Sequence, residues 1–175
     1  MILLSIFIPI VRILSKSLKK YYHHQIFQTI RNKGEVDHTE YNWSGEMILV
    51  ADDDLQSCII LEKVFEKTGV KTKIAYDGID ALEIIKTDVS ITMAIVDIRM
   101  PKLNGYELVE KAIKIRPDII YIAYTADIFQ LDRKKCADIG FFTILPKPIL
   151  PSILVETLDK VLIARKSSYR SIEEF

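Results

Sequence analysis

Three consecutive acids, Asp52, Asp53 and Asp54, follow the apolar run MILVA, and a fourth, Asp97, follows the apolar run MAIV. Carboxylates gathered in one place repel one another, and a hard divalent cation with oxygen ligands relieves that repulsion. A partly open coordination shell favours Mg²⁺. Thr125 and Lys147 close two further apolar runs, IYIAY and FTIL. A metal, a hydroxyl and an ammonium together can neutralise the three equatorial oxygens of a phosphoryl group in transfer, with Asp97 as the in-line nucleophile. Each residue also has a plainer use. An acid after a strand caps the next helix, which is the role expected of Asp54. Thr125 alone reads as a strand-end residue and Lys147 alone as a surface lysine. Their joint placement is what points to chemistry.

That placement depends on the elements that carry these residues. Short apolar runs at 47–51, 71–75, 93–96, 119–124 and 142–145 predict strands, the most apolar of them buried on both faces. Between and after them the apolar spacing becomes helical. The first helix carries Ile59, Ile60, Val64 and Phe65 and ends at Gly69; the others cover 79–86, 106–115, 130–139 and 152–164. Five βα units with short connections predict an α/β fold, a five-stranded doubly wound parallel sheet whose site lies at the carboxyl ends of the strands. Asp52, Asp53, Asp97, Thr125 and Lys147 then share one edge.

The chain has 175 residues, 49% hydrophobic and 27% charged, which suits one domain with a modest extension. The net charge of zero conceals a division. Residues 1–33 hold six basic residues, Arg12, Lys16, Lys19, Lys20, Arg31 and Lys33, and no acid, so the rest holds 18 basic against 24 acidic. Val11, Leu14, Leu18, Tyr22, Ile26 and Ile30 recur every three or four positions and predict an amphipathic helix to about residue 32. Two uses suit it: packing on its own domain or on a twin in a homodimer, and contact with a membrane surface. The opening MILLSIFIPI is too short to span a bilayer before Arg12 and lacks both the basic start and the small-residue cleavage site of a secretory signal, so a cytoplasmic protein is expected, with residues 1–33 free to touch a membrane surface. Residues 34–46 read as a polar linker, 47–166 as the domain body and 167–175 as a flexible tail. Cys58 and Cys136 lie in apolar periodic segments and read as packing residues of a reducing interior. The short acidic tail and a leader without a helix-turn-helix pattern argue against nucleic acid as a partner.

The segments ILVADDD (48–54), IVDIRMPKLNG (95–105), YTA (124–126) and LPKP (145–148) resemble the receiver domains of two-component response regulators, over about residues 46–166. The resemblance implies a flavodoxin-like (βα)5 fold. It also implies that Asp97 is the phosphoacceptor, that Asp52 and Asp53 help to hold Mg²⁺, and that Thr125 and Lys147 contact the phosphoryl oxygens. Arg99 would lend a backbone carbonyl to the metal, a cis bond between Lys147 and Pro148 would aim the lysine inward, and Ala126 leaves room beside Asp97. A sensor histidine kinase or a histidine phosphotransferase is the implied partner, with output by phosphotransfer or protein contact and no enzymatic turnover beyond the domain's own phosphorylation and dephosphorylation. One position departs from the family pattern: Ile144 stands three residues before the lysine, where an aromatic residue is usual. YNWSGEMILVADD also resembles the join between kinase core and receiver in hybrid sensor kinases, so a single-domain or detached receiver is expected. Two other functions fit less well. One is a docking module that is never phosphorylated. The other is a haloacid-dehalogenase-type phosphatase, suggested by the D-x-D of Asp52 and Asp54; that family also places an acidic pair after its lysine, at the end of a later strand, and here the acids that follow Lys147, namely Glu156, Asp159, Glu173 and Glu174, end no predicted strand.

Overall fold

A computed structural model describes residues 41–128 and 131–173, with the side chains of 166–173 left aside. The expected helix at 11–32 and the first part of the expected linker lie outside the described residues.

Five strands alternate with five helices: β1 (Met47–Ala51), α1 (Leu55–Phe65), β2 (Lys71–Ala75), α2 (Gly78–Thr87), β3 (Met93–Val96), α3 (Gly105–Ala112), β4 (Ile120–Thr125), α4 (Arg133–Ile139), β5 (Phe141–Pro146) and α5 (Pro151–Glu173). The strands form one sheet in the order β2-β1-β3-β4-β5, every pair parallel. This is the doubly wound, flavodoxin-like arrangement that the alternation predicts. In it β1 and β3 are central, and their apolar runs follow from that position: Ile48 through Ala51 and Met93 through Val96 are buried, because helices cover both faces. At the edge, β2 alternates instead, with Lys71 and Lys73 exposed and Thr72 and Ile74 half-buried.

Helix ends follow their capping residues. The carboxylates of Asp54, Asp77 and Asp132 accept backbone N–H groups at the starts of α1, α2 and α4, and Asn104 with Glu107 forms a reciprocal capping box on α3. Four boundaries differ by more than one residue from the sequence reading. The helix expected from residue 130 starts at Arg133, because Asp132 caps it. The helix expected to run to Gly69 stops at Phe65 and tightens into a 3₁₀ turn at Glu66–Thr68 before Gly69, whose φ of 74° ends it. The helix α3 ends at Ala112 rather than near residue 115, and a turn leads to Arg116 and Pro117. The backbone of α5 remains helical to Glu173, past the expected end at 164 and into the stretch read as a flexible tail.

The linker reading also meets a finding. Of residues 34–46, the described portion 41–46 contains Trp43, which is 1% exposed, packs its ring 5.9 Å from that of Phe65 and donates its indole N–H to Asp159 at 2.9 Å. The polar stretch is therefore packed against the domain from Trp43 onward. Cys58 and Cys136 are both buried and unpaired by any disulfide, as packing residues are. Among the described residues no helix is long and apolar enough to cross a membrane.

Candidate functional site

The parallel ladder continues one residue past several strand ends, and this is what aligns the polar groups. Asp52 N–H donates to the Ala75 carbonyl at 3.0 Å, Asp97 N–H to Ala51 at 2.8 Å, and Lys147 N–H to Thr125 at 2.8 Å. Each backbone is fixed by its neighbour, so the side chains that follow strands one, three, four and five emerge together. Gly105 closes the site from below: a Cβ there would lie 2.3 Å from the Asp97 carbonyl oxygen, so only glycine lets the start of α3 approach so closely.

Asp52, Asp53 and Asp97 each present a carboxylate oxygen within 4.8 Å of the others, Asp52 buried and Asp53 exposed. Lys147 bridges two of them, its ammonium donating to Asp52 Oδ2 at 2.5 Å and to Asp97 Oδ2 at 2.7 Å. The second oxygen of each acid is held by backbone: Asp52 Oδ1 accepts from Asp54 N–H at 3.1 Å, and Asp97 Oδ1 accepts from Arg99 N–H at 3.2 Å. The Lys147–Pro148 peptide is cis. Thr125, 1% exposed, accepts the Asp127 N–H on its hydroxyl at 3.2 Å. All five predicted side chains thus reach one edge, and the expected cap by Asp54 is present, its Oδ1 accepting the Gln56 N–H at 3.0 Å.

The electrostatics reflect charge taken out of water. Burial pushes the Asp52 carboxyl up to about 6; Lys147 opposes the rise and Asp97 adds to it. Burial acts against the Lys147 ammonium as well, but Asp52 and Asp97 more than offset it, and its pKa is raised. Three carboxylates against one lysine leave an excess of negative charge, and oxygen donors of this kind suit a hard divalent cation. The residues present therefore fit Mg²⁺.

Three features of the site escape the sequence reading. The Arg99 side chain forms an ion pair with Asp127, joining the loop after β3 to the loop after β4. Opposite charges two residues past Asp97 and two past Thr125 were the available signal. The ring of Tyr124 lies with its centroid 5.0 Å from the Lys147 ammonium, adding a π-face to the lysine's surroundings. Third, Cys58 directs its thiol at the Asp52 carbonyl, at 3.5 Å, and burial pushes that thiol up to about 12, so it stays protonated.

A family model, the response regulator receiver domain, matches residues 48–159. The sensor histidine kinase RcsC of Escherichia coli (strain K12) is 29% identical over 112 residues, covering 64% of this chain and 12% of that protein. The transcriptional regulatory protein CpxR of the same strain is 33% identical over 115 residues, covering 66% of this chain and 48% of CpxR. The chain therefore spans under half the length of either relative. Among solved structures, a CheY-like response regulator receiver domain protein from Methanospirillum hungatei JF-1 is 27% identical with a TM-score of 0.68, over 71% of this chain and 99% of that one. The receiver domain of sensor histidine kinase PA1611 from Pseudomonas aeruginosa PAO1, which has a magnesium ion coordinated in its active-site cleft, is 25% identical with a TM-score of 0.61, over 67% and 97%. With the family model covering most of the chain and the fold matching throughout the described body, the chain belongs to the response regulator receiver domain family of two-component systems.

Proposed function

We propose that Asp97 accepts a phosphoryl group in a Mg²⁺-dependent transfer, and that the chain passes the signal on by onward phosphotransfer or protein contact. The observation that supports this most is the trio of carboxylates within 4.8 Å of one another, two of them bridged by one buried lysine. Asp52, Asp53 and Asp97, with the Arg99 backbone carbonyl, are the groups that would hold Mg²⁺, as the receiver domain of PA1611 holds magnesium in its own cleft. When bound, the cation supplies Lewis-acid neutralisation of phosphoryl charge.

The chain's own residues do the rest. An Asp97 carboxylate oxygen forms a bond to phosphorus while the bond from phosphorus to the donor breaks, and the donor leaves with the electron pair. The donor is a phosphohistidine of a sensor kinase or of a histidine phosphotransferase. Lys147 already lies at Asp97 and shifts its hydrogen bonds toward a phosphoryl oxygen, and the Thr125 hydroxyl exchanges its Asp127 contact for another. The site acts once on its own carboxylate and does not turn over an external substrate. Purified chain with Mg²⁺ and acetyl phosphate is expected to gain one acid-stable, base-labile phosphoryl group. Asp97→Asn abolishes the labelling, a loss of at least about 100-fold on the scale of a removed nucleophile, and chelation of the metal does the same. Equal labelling of Asp97→Asn would overturn the assignment.

A further inference from the structure

An ion pair outside the phosphoryl site ties two loops together on the same edge of the sheet. Asp77 precedes α2 and uses both of its oxygens. Oδ1 accepts the Ile79 and Asp80 N–H groups, each at 2.9 Å, and Oδ2 accepts from the Lys102 ammonium at 2.5 Å. Lys102 belongs to the loop between β3 and α3, five residues beyond Asp97. Its φ of 64° makes it the one non-glycine residue among the described residues in the left-handed region, where a Cβ is disfavoured. A loop that keeps a lysine in that conformation needs something to hold it there.

Two contacts with α2 supply the hold. Gly78, the first residue of α2, faces the loop so closely that a Cβ would lie 2.0 Å from the Leu103 carbonyl oxygen. The second contact is the ion pair itself. An exposed lysine usually gains little from a surface partner because both side chains must be ordered. Here the partner is already ordered: the Asp77 side chain is 8% exposed and fixed by two capping bonds. Lys102, followed by the capping N–H of Asp80, holds the Asp77 carboxyl below the usual carboxylate range, so the pair is ionised at neutral pH. Within the loop, Leu103 N–H donates to Pro101 at 2.7 Å and Gly105 N–H to Ile98 at 2.9 Å, so an anchor at Lys102 is transmitted along the backbone on either side.

We infer that Asp77 and Lys102 form a positioning latch for the 99–104 loop and thereby set the affinity of the Asp52, Asp53 and Asp97 site for a divalent cation. The inference rests on the proposed metal reading, because the latched loop carries the Arg99 carbonyl. Supporting groups one step removed from metal ligands tune affinity without touching the ion. In the full-length chain, titrated calorimetrically with Mg²⁺ in the absence of any phosphodonor, Lys102→Ala is expected to raise the Kd roughly 3–10-fold, a fraction of the effect typical for groups that contact a ligand directly. Asp77→Asn, which keeps a capping oxygen, weakens binding to a similar degree, and Lys102→Arg restores it to about the wild-type value. At saturating Mg²⁺ the labelling rate of Lys102→Ala equals that of wild type, which separates positioning from a general loss of fold. Wild-type affinity in both Lys102→Ala and Asp77→Asn would overturn the latch, as would a fall in labelling rate at unchanged affinity. Failure of the underlying metal reading is recognised separately: wild type would then bind no Mg²⁺, or Asp53→Asn would bind it equally well.

Discussion

The two edges of the sheet bury polar groups in different ways. At the amino edge, side chains end mostly on backbone, and the charged ones meet one partner each. The Arg116 guanidinium donates to the carbonyls of Ile85, Asp88, Val89 and Ile91 and pairs with Asp118, while Tyr121 returns its hydroxyl hydrogen to the Arg116 carbonyl at 3.0 Å. Thr68 bonds the Phe65 carbonyl at 2.8 Å, and Glu46, 7% exposed, meets Arg165 at 3.3 Å. At the carboxyl edge, charged side chains also meet one another, and the charges do not balance: Asp52, Asp53 and Asp97 crowd together while one lysine bridges Asp52 and Asp97. A backbone carbonyl has no alternative state, so the amino edge is a fixed clamp. An ammonium shared between two carboxylates can be redistributed when a cation or a phosphoryl group arrives. Polar burial at one edge stabilises the fold, and at the other it stores the capacity to change.

The sharpest test of this division is to remove a clamp residue and measure both properties. Trp43→Ala empties a fully buried site and loses the bond to Asp159, and is expected to lower stability by about 3–5 kcal/mol. Arg116→Ala leaves several carbonyls short of a donor and costs about 3 kcal/mol. Denaturant unfolding measures both. Each variant, kept below its unfolding midpoint, still accepts a phosphoryl group on Asp97 at near the wild-type rate. If either loses labelling while folded, the two edges are coupled and the division fails.

The opposite sign is expected at the carboxyl edge. Burial raises the Asp52 carboxyl from 3.8 to about 6, so between about pH 4 and pH 6 the folded chain holds a proton that the unfolded chain has released. Stability of the metal-free protein therefore falls as pH rises through that window and stays lower above it. Asp52→Asn removes the titration. It is expected to stabilise the metal-free protein at pH 7 by about 1–3 kcal/mol, and to flatten the slope between pH 4 and 6. Added Mg²⁺ stabilises wild type and leaves the variant much less affected. A variant less stable than wild type at pH 7 without metal would show that the Lys147 contact outweighs burial.

The same contrast explains what the sequence made legible. The central strands were readable because a strand covered on both faces must be apolar throughout, and Asp52, Asp97, Thr125 and Lys147 were readable because each ends such a run. The amino-edge clamp was not. Arg116 donates to carbonyls, which every residue carries, so its partners leave no mark on sequence. Trp43 sits in a polar stretch with glycines on either side, and only its own bulk signalled burial. The Arg99–Asp127 and Asp77–Lys102 pairs join loops whose approach depends on glycine contacts at 78 and 105 that residue spacing does not reveal.

The smallest expected effect concerns how a change at the carboxyl edge leaves it. On the proposed mechanism, Thr125 turning toward a phosphoryl oxygen would open space beside β5, because Thr125 pairs with Pro146 and Ala123 with Ile144 across the two strands. The family usually fills such space with an aromatic ring at the position of Ile144. Here that residue is half-buried against the core, and its β-branched side chain is stiff at χ1 and too short to sweep the same volume. A ligand shifts a conformational equilibrium only by its difference in affinity for the two states, so a side chain that responds less gives a smaller population shift. Amide exchange over α4, β5 and the first half of α5, with and without beryllofluoride as a phosphoryl stand-in, is expected to change modestly in wild type and more in Ile144→Tyr. A large wild-type change that the tyrosine does not increase would mean that the backbone of β5, and not the side chain at 144, carries the signal outward.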